Sequence, residues 1–160
     1  MAKQAIVNSS PLIFLSKAGH LDLLKVVADE ILVPSPVILE INHRDNSDLT
    51  VQAVNNTEWL HRVDVEPLPL IQAWDLGIGE TGVLSYALAK QGIKTIIDDG
   101  LARKCAETHN IPLVGTLGIV LLAKKHGLVS KARPLMNELK HHGMYLHEST
   151  LNQALSLVNE

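Results

Sequence analysis

The run Thr95-Ile96-Ile97-Asp98-Asp99-Gly100-Leu101-Ala102-Arg103-Lys104 constrains this chain more than any other. A short β-branched stretch ends in two adjacent carboxylates, and an amphipathic helical pattern begins at once. Buried strand, polar tip and helix in that order form the repeating unit of an open α/β sheet, whose ligand sites lie beyond the strand C-termini. Two carboxylates about 4 Å apart repel by roughly 4 kcal/mol at an effective dielectric near 20. A helix N-terminus offsets typically less than about 1 kcal/mol of that at an exposed site. A divalent cation offsets far more and turns the pair into chemistry.

The same alternation runs along the rest of the chain. Strands are predicted at 4–7, 31–33, 94–97 and 112–114, with a possible edge strand of alternating polarity at 60–65. Helices are predicted at 10–17, with Ser10 as cap and Pro11 in first position, and at 20–28. Others follow from Ser35-Pro36, over 48–54, 79–91 and 100–108, over 117–126 behind a Thr116 cap, and over 131–142 and 151–158. The fold class this implies is α/β, a short parallel sheet sandwiched between helices in three αβα layers. Residues 1–160 read as a single domain with C-terminal helices from about 130, because no linker or low-complexity tract divides them.

Composition narrows the setting. With 46% apolar and 19% charged residues the chain is globular. The lone Cys105 leaves no disulfide or CxxC framework, which points to a reducing cytoplasm. Residues 111–123 are too few to span a bilayer, and Asn8, Ser9, Ser10 and Pro11 interrupt any signal-peptide core, so no membrane association is expected. Residues 1–80 hold five Lys/Arg against eleven Asp/Glu, and residues 81–160 nine against six. A basic second half can face phosphate while acids gather at a metal, although ordinary lysine-bearing helix surfaces give the same count. Only five residues are aromatic, so base stacking is not expected as the main binding mode.

Asn8 ends the first strand, Glu40 lies on a helix, Glu80 opens another, and Asp98 and Asp99 end a central strand. Each alone has an ordinary explanation as a solvated helix residue, a dipole partner or a cap. Parallel topology nevertheless brings all of them to one sheet edge, where an oxygen-rich set suits Mg²⁺ or Mn²⁺ and phosphoryl chemistry. A competing motif, Gly77-Ile78-Gly79-Glu80-Thr81-Gly82, has the spacing of a dinucleotide fingerprint. It lacks the buried strand upstream, and Glu80 would oppose a pyrophosphate. The eight histidines show no HxxxH or HExxH spacing, so zinc is not expected. Cys105, Trp74 and Tyr86 read as packing residues.

As a set, these segments resemble the PIN-domain nucleases, in particular the small prokaryotic, VapC-like toxin branch. The matching blocks are Asn8-Ser9-Ser10-Pro11-Leu12-Ile13, then Val33 to Glu40, Gly77-Ile78-Gly79-Glu80, Asp98 to Arg103, and Gly115-Thr116-Leu117-Gly118. The resemblance implies metal-dependent hydrolysis of RNA phosphodiesters, a magnesium or manganese cofactor, a toxin–antitoxin setting with a small antitoxin partner, and homodimers. It implies Glu40, Glu80 and Asp99 as the catalytic acids and metal partners, with Asp98 adjacent. Ser10, Thr116, Arg103 and Lys104 become substrate contacts, with capping and a solvated helix face as their ordinary alternatives. Competent members carry aspartate where this chain has Asn8. An amide offers the metal a carbonyl oxygen but no charge, which lowers metal affinity and general-base capacity. A non-catalytic relative that binds RNA or a protein therefore stands as the second reading.

Overall fold

The computed structural model describes residues 2–160; Met1, part of the expected domain, lies outside the described residues. The elements run β1 (Ala2–Val7), α1 (Ser9–Lys17), a 3₁₀ helix (Leu21–Val26), β2 (Ala28–Pro34), α2 (Ser35–Asn42), α3 (Leu49–Asn56), β3 (Leu60–Val63) and α4 (Pro69–Gln72). They continue with α5 (Ile78–Ala89), β4 (Lys94–Ile96), α6 (Gly100–Thr108), β5 (Leu113–Val114), α7 (Thr116–Lys125), α8 (Ala132–His141) and α9 (Glu148–Ser156).

Among the described residues the strands form one five-stranded sheet in the order β3-β2-β1-β4-β5, and every pairing is parallel. This is the expected α/β sheet between helices. β1 lies at its centre, and Ala5, Ile6 and Val7 are fully buried, as a strand covered on both faces requires. Ile31, Val33, Ile96 and Ile97 extend the same core, each large side chain contributing about 1.5–3 kcal/mol through burial. Strand order reverses between β1 and β4. The C-terminal ends of those two strands therefore flank the switch point where open α/β sheets bind ligands.

Three local expectations are corrected. Segment 20–28 is not one helix: its first part winds as a 3₁₀ turn, and Ala28 already pairs with Ala2. Gln4 and Glu30 face each other in that ladder, and the Gln4 amide donates to the Glu30 carboxylate at 2.9 Å. Strand pairing thus overrides helical spacing. The cap of α1 is Asn8, not Ser10, and Pro11 is tolerated in the first turn because its N–H would have no partner there anyway. Gly115, not Thr116, caps α7. The expected edge strand does form, as β3, and Asp48 caps α3 by accepting from the Thr50 N–H at 2.8 Å. No helix among the described residues is long and apolar enough to cross a membrane.

Candidate metal and phosphate site

Asn8 stands at the switch point. Its N–H donates to the Ile96 carbonyl at 3.0 Å, which holds it level with the tip of β4. Although it caps α1 by position, its side chain makes no capping bond. It is 1% exposed, and its Nδ2 donates to Oε1 of Glu80 at 3.1 Å. Carboxylate chemistry fixes the amide orientation, since only the NH₂ group can donate to Glu80. The other amide atom, Oδ1, is buried with no partner. An unpaired buried acceptor costs about 1–3 kcal/mol, so this oxygen is the strongest sign that the site takes a ligand.

Gly79 makes the space beside it. A Cβ there would come within 2.8 Å of Asn8 Oδ1, 3.3 Å of Val37 and 3.4 Å of Oε2 of Glu40. Residue 79 must therefore be a glycine for the Asn8 oxygen and the Glu40 carboxylate both to approach this point of α5. Glu40 comes from the exposed face of α2, and half-buried Glu80 from the first turn of α5, where the helix dipole favours a negative charge. Glu40 and Glu80 border a hollow with Ser35, Pro36, His43 and Gly77.

Glu80 also lines a second, larger cleft of about 790 Å³ together with Ser10, Asp98, Asp99 and Arg103. The two aspartates are held apart by different donors. Asp98 accepts from the Thr116 N–H at 2.7 Å and from its hydroxyl at 2.6 Å, so both its oxygens are engaged. Asp99 caps α6 by accepting from the Ala102 N–H through Oδ2 at 2.9 Å, which leaves Oδ1 available. Amide and hydroxyl donors thus offset part of the repulsion between these neighbours. Arg103 folds back over the sheet tip, its Nη1 donating to the Ile97 carbonyl at 3.3 Å. Lys104, the next residue, is exposed and lines neither space.

The expected residues therefore fall into two groups joined by Glu80. Glu40 and Glu80 line the hollow with Gly79, and the Asn8 oxygen is buried against Gly79 beside them; Asp98, Asp99, Arg103 and Ser10 face the larger cleft. Among the described residues no three Asp, Glu, His or Cys side chains are gathered as a ready-made metal cage. Magnesium does not need one, because it keeps several waters and is commonly held by one or two carboxylates. Two carboxylates and an unpaired carbonyl oxygen fit that demand. Thr116 is fully buried and spends its hydroxyl on Asp98, which places it beneath the cleft rather than within a phosphate's reach. The sequence offered Gly79 only as part of a glycine motif; its role emerges from the approach of α2 and β1.

No curated protein matches the chain. A family model described as a PIN domain matches residues 4–160. PIN domains have a nuclease-like fold, are generally dependent on divalent metal, and suggest nucleic-acid binding. With that match over nearly its whole length, on a parallel sheet whose switch point carries Asn8 and Asp98, the chain belongs to the PIN-domain family.

Proposed function

We propose that this chain hydrolyses RNA phosphodiester bonds with the help of Mg²⁺ or Mn²⁺. The observation that carries the reading is the buried, unpartnered Oδ1 of Asn8 beside the carboxylates of Glu40 and Glu80. These three would hold the metal. Once bound, a divalent ion supplies a more acidic water and offsets charge on the phosphoryl group. Asp99, whose Oδ1 takes no hydrogen bond from the chain, would serve as a proton acceptor on the wall of the larger cleft. The Asn8 amide fixes the rotamer of Glu80 and keeps its charge directed at the hollow. Arg103, pinned by Ile97, presents its remaining N–H groups to a phosphate in the cleft, and Ser10 lies on the same wall. Asp98 acts through Thr116, tying the start of α7 to the tip of β4.

The second reading is a non-catalytic relative, and one observation favours it: residue 8 is an amide, so the buried corner of the site lacks a charge. Calorimetric titration of Mn²⁺ separates the two, with the Glu80→Gln, Asp99→Asn double variant as control. Saturable binding lost in the control, together with metal-dependent RNA cleavage, supports the nuclease. Absence of binding at millimolar metal supports the second reading. The resemblance to toxin-like relatives extends the proposal to a cytoplasmic toxin with an antitoxin or a second copy of the chain as partner. Co-purification from the native host and the mass of the free chain in solution test those partners.

A further inference from the structure

Residues 143–146, a segment the catalytic reading leaves unused, line the same larger cleft as the carboxylates. Gly143 adopts φ +105°, a conformation open to glycine, and turns the chain after α8 back toward the cleft. Met144 is buried and its N–H donates to the Leu139 carbonyl at 3.1 Å, while Leu146 packs partly against the core. Anchored on both sides, Tyr145 is left pointing outward at 80% exposure, yet it lines the same cleft as Glu80, Asp99 and Arg103. Its ring is braced by His147, edge to face at 5.1 Å and 75°, with the hydroxyl 3.3 Å from the imidazole. A large exposed aromatic face in the same cleft as an arginine and carboxylates, with only two side-chain torsions to fix, loses little entropy when a flat ligand covers it.

We infer that Tyr145 is a stacking platform for one unpaired nucleobase of the bound strand. The inference rests on the nuclease reading for the position of the phosphate, but it concerns the base. A base in a duplex is already stacked on its neighbours and has no free face to give. Five aromatic residues in the whole chain exclude a continuous stacking track; one platform next to the phosphate site needs only one ring.

The test is fluorescence anisotropy with a labelled, nuclease-resistant 2′-O-methyl RNA strand in Mn²⁺, against the same strand made abasic and the same sequence as a duplex. Stacking of one base is worth about 1–3 kcal/mol, so Tyr145→Ala should weaken single-strand binding about 5- to 150-fold. Tyr145→Phe should keep the affinity, because the ring face does the binding. The abasic strand should bind wild type and Tyr145→Ala equally. Equal single-strand affinity of wild type and Tyr145→Ala, with melting temperatures matched, overturns the platform and leaves the nuclease reading standing. A wild-type chain that binds none of the three probes overturns both.

Discussion

Replacing Asn8 by aspartate probes the site most directly. Asn8 Nδ2 donates to Glu80 Oε1 at 3.1 Å. Asn8→Asp exchanges that donor for a charged oxygen at the same distance. At an effective dielectric near 20 the repulsion is about 5 kcal/mol. Glu80 is only half-buried, and solvent screening lowers the figure. Protonation sets a ceiling: carrying one carboxyl from an ordinary pKa near 4 to neutral pH costs about 4 kcal/mol at 1.36 kcal/mol per unit. A net loss of about 2–4 kcal/mol lowers the melting temperature by roughly 4–16 °C for a chain of this size. The sign with pH follows. The full penalty applies where both carboxyls are ionised and is relieved as pH falls, when one takes a proton and donates it to the other. Mn²⁺ reverses the order by removing the repulsion and meeting a more charged ligand set. The variant should therefore bind the ion more tightly and gain more in melting temperature, about 2.7 kcal/mol of stabilisation at a hundredfold excess over Kd. Thermal melts in chelator and in Mn²⁺, at neutral and mildly acid pH, measure all of this. A variant that melts with wild type in chelator at neutral pH refutes the contact between residue 8 and Glu80. A variant that gains no more than wild type from Mn²⁺ removes residue 8 from the metal site.

Three further outcomes follow from the same geometry. Gly79→Ala puts a methyl group 2.8 Å from Asn8 Oδ1 and should cut Mn²⁺ affinity by about 10–100-fold, the range seen when the surroundings of metal ligands are disturbed; unchanged affinity by calorimetry would separate the hollow from the metal. Thr116→Val removes a 2.6 Å donor from Asp98 and should cost about 1.5–3 kcal/mol by denaturant titration; a loss within error would show that the Thr116 N–H alone secures the aspartate. Glu160 accepts from the N–H groups of Ala132 and Arg133 at the start of α8, and pairs with Lys124 at 3.4 Å. The Ala132 bond leads in holding its carboxyl below the ordinary 4.5, so its contribution is full above that pH and fades as pH falls through the lowered value. Glu160→Gln should therefore melt below wild type at neutral pH and converge with it in acid; a gap that persists in acid would mean that charge is not what Glu160 supplies.

Where local signals and tertiary context agreed, the fold was legible in the sequence. Segment 100–108 formed as read, because Asp99 is both its cap by chemistry and its cap by position. Edge strand β3 was legible as a short run mixing apolar and polar residues, and it forms with Leu60 and Val63 half-buried and His61 and Arg62 exposed. The misplaced starts share one cause. Ser10 and Thr116 are good capping residues, but each lies just inside a helix whose first turn is fixed by the preceding strand. Thr116 has a further use for its hydroxyl that no local pattern announces, because Asp98 lies beyond the tip of β4, far away in sequence. The site was legible as a set of residue types at strand ends and helix starts. Its division into two groups was not, since that depends on how closely α2 and α5 approach β1 over Gly79. Tyr145 was invisible for the same reason: nothing in residues 143–146 says that they come to line the cleft.

The amide at residue 8 then acquires a physical explanation within the proposed reading. Position 8 is buried at 1% exposure and touches the half-buried Glu80, so a carboxylate there would leave the metal-free protein with two opposed charges and one fewer hydrogen bond. Asparagine relieves that repulsion and still offers an oxygen to an ion, at the expense of charge in the ligand set. The remaining cost, one unpartnered Oδ1 of about 1–3 kcal/mol, is smaller than the repulsion it replaces and is recovered whenever an ion arrives. Stability without metal and affinity for metal thus pull on residue 8 in opposite directions, and this chain sits on the side of stability.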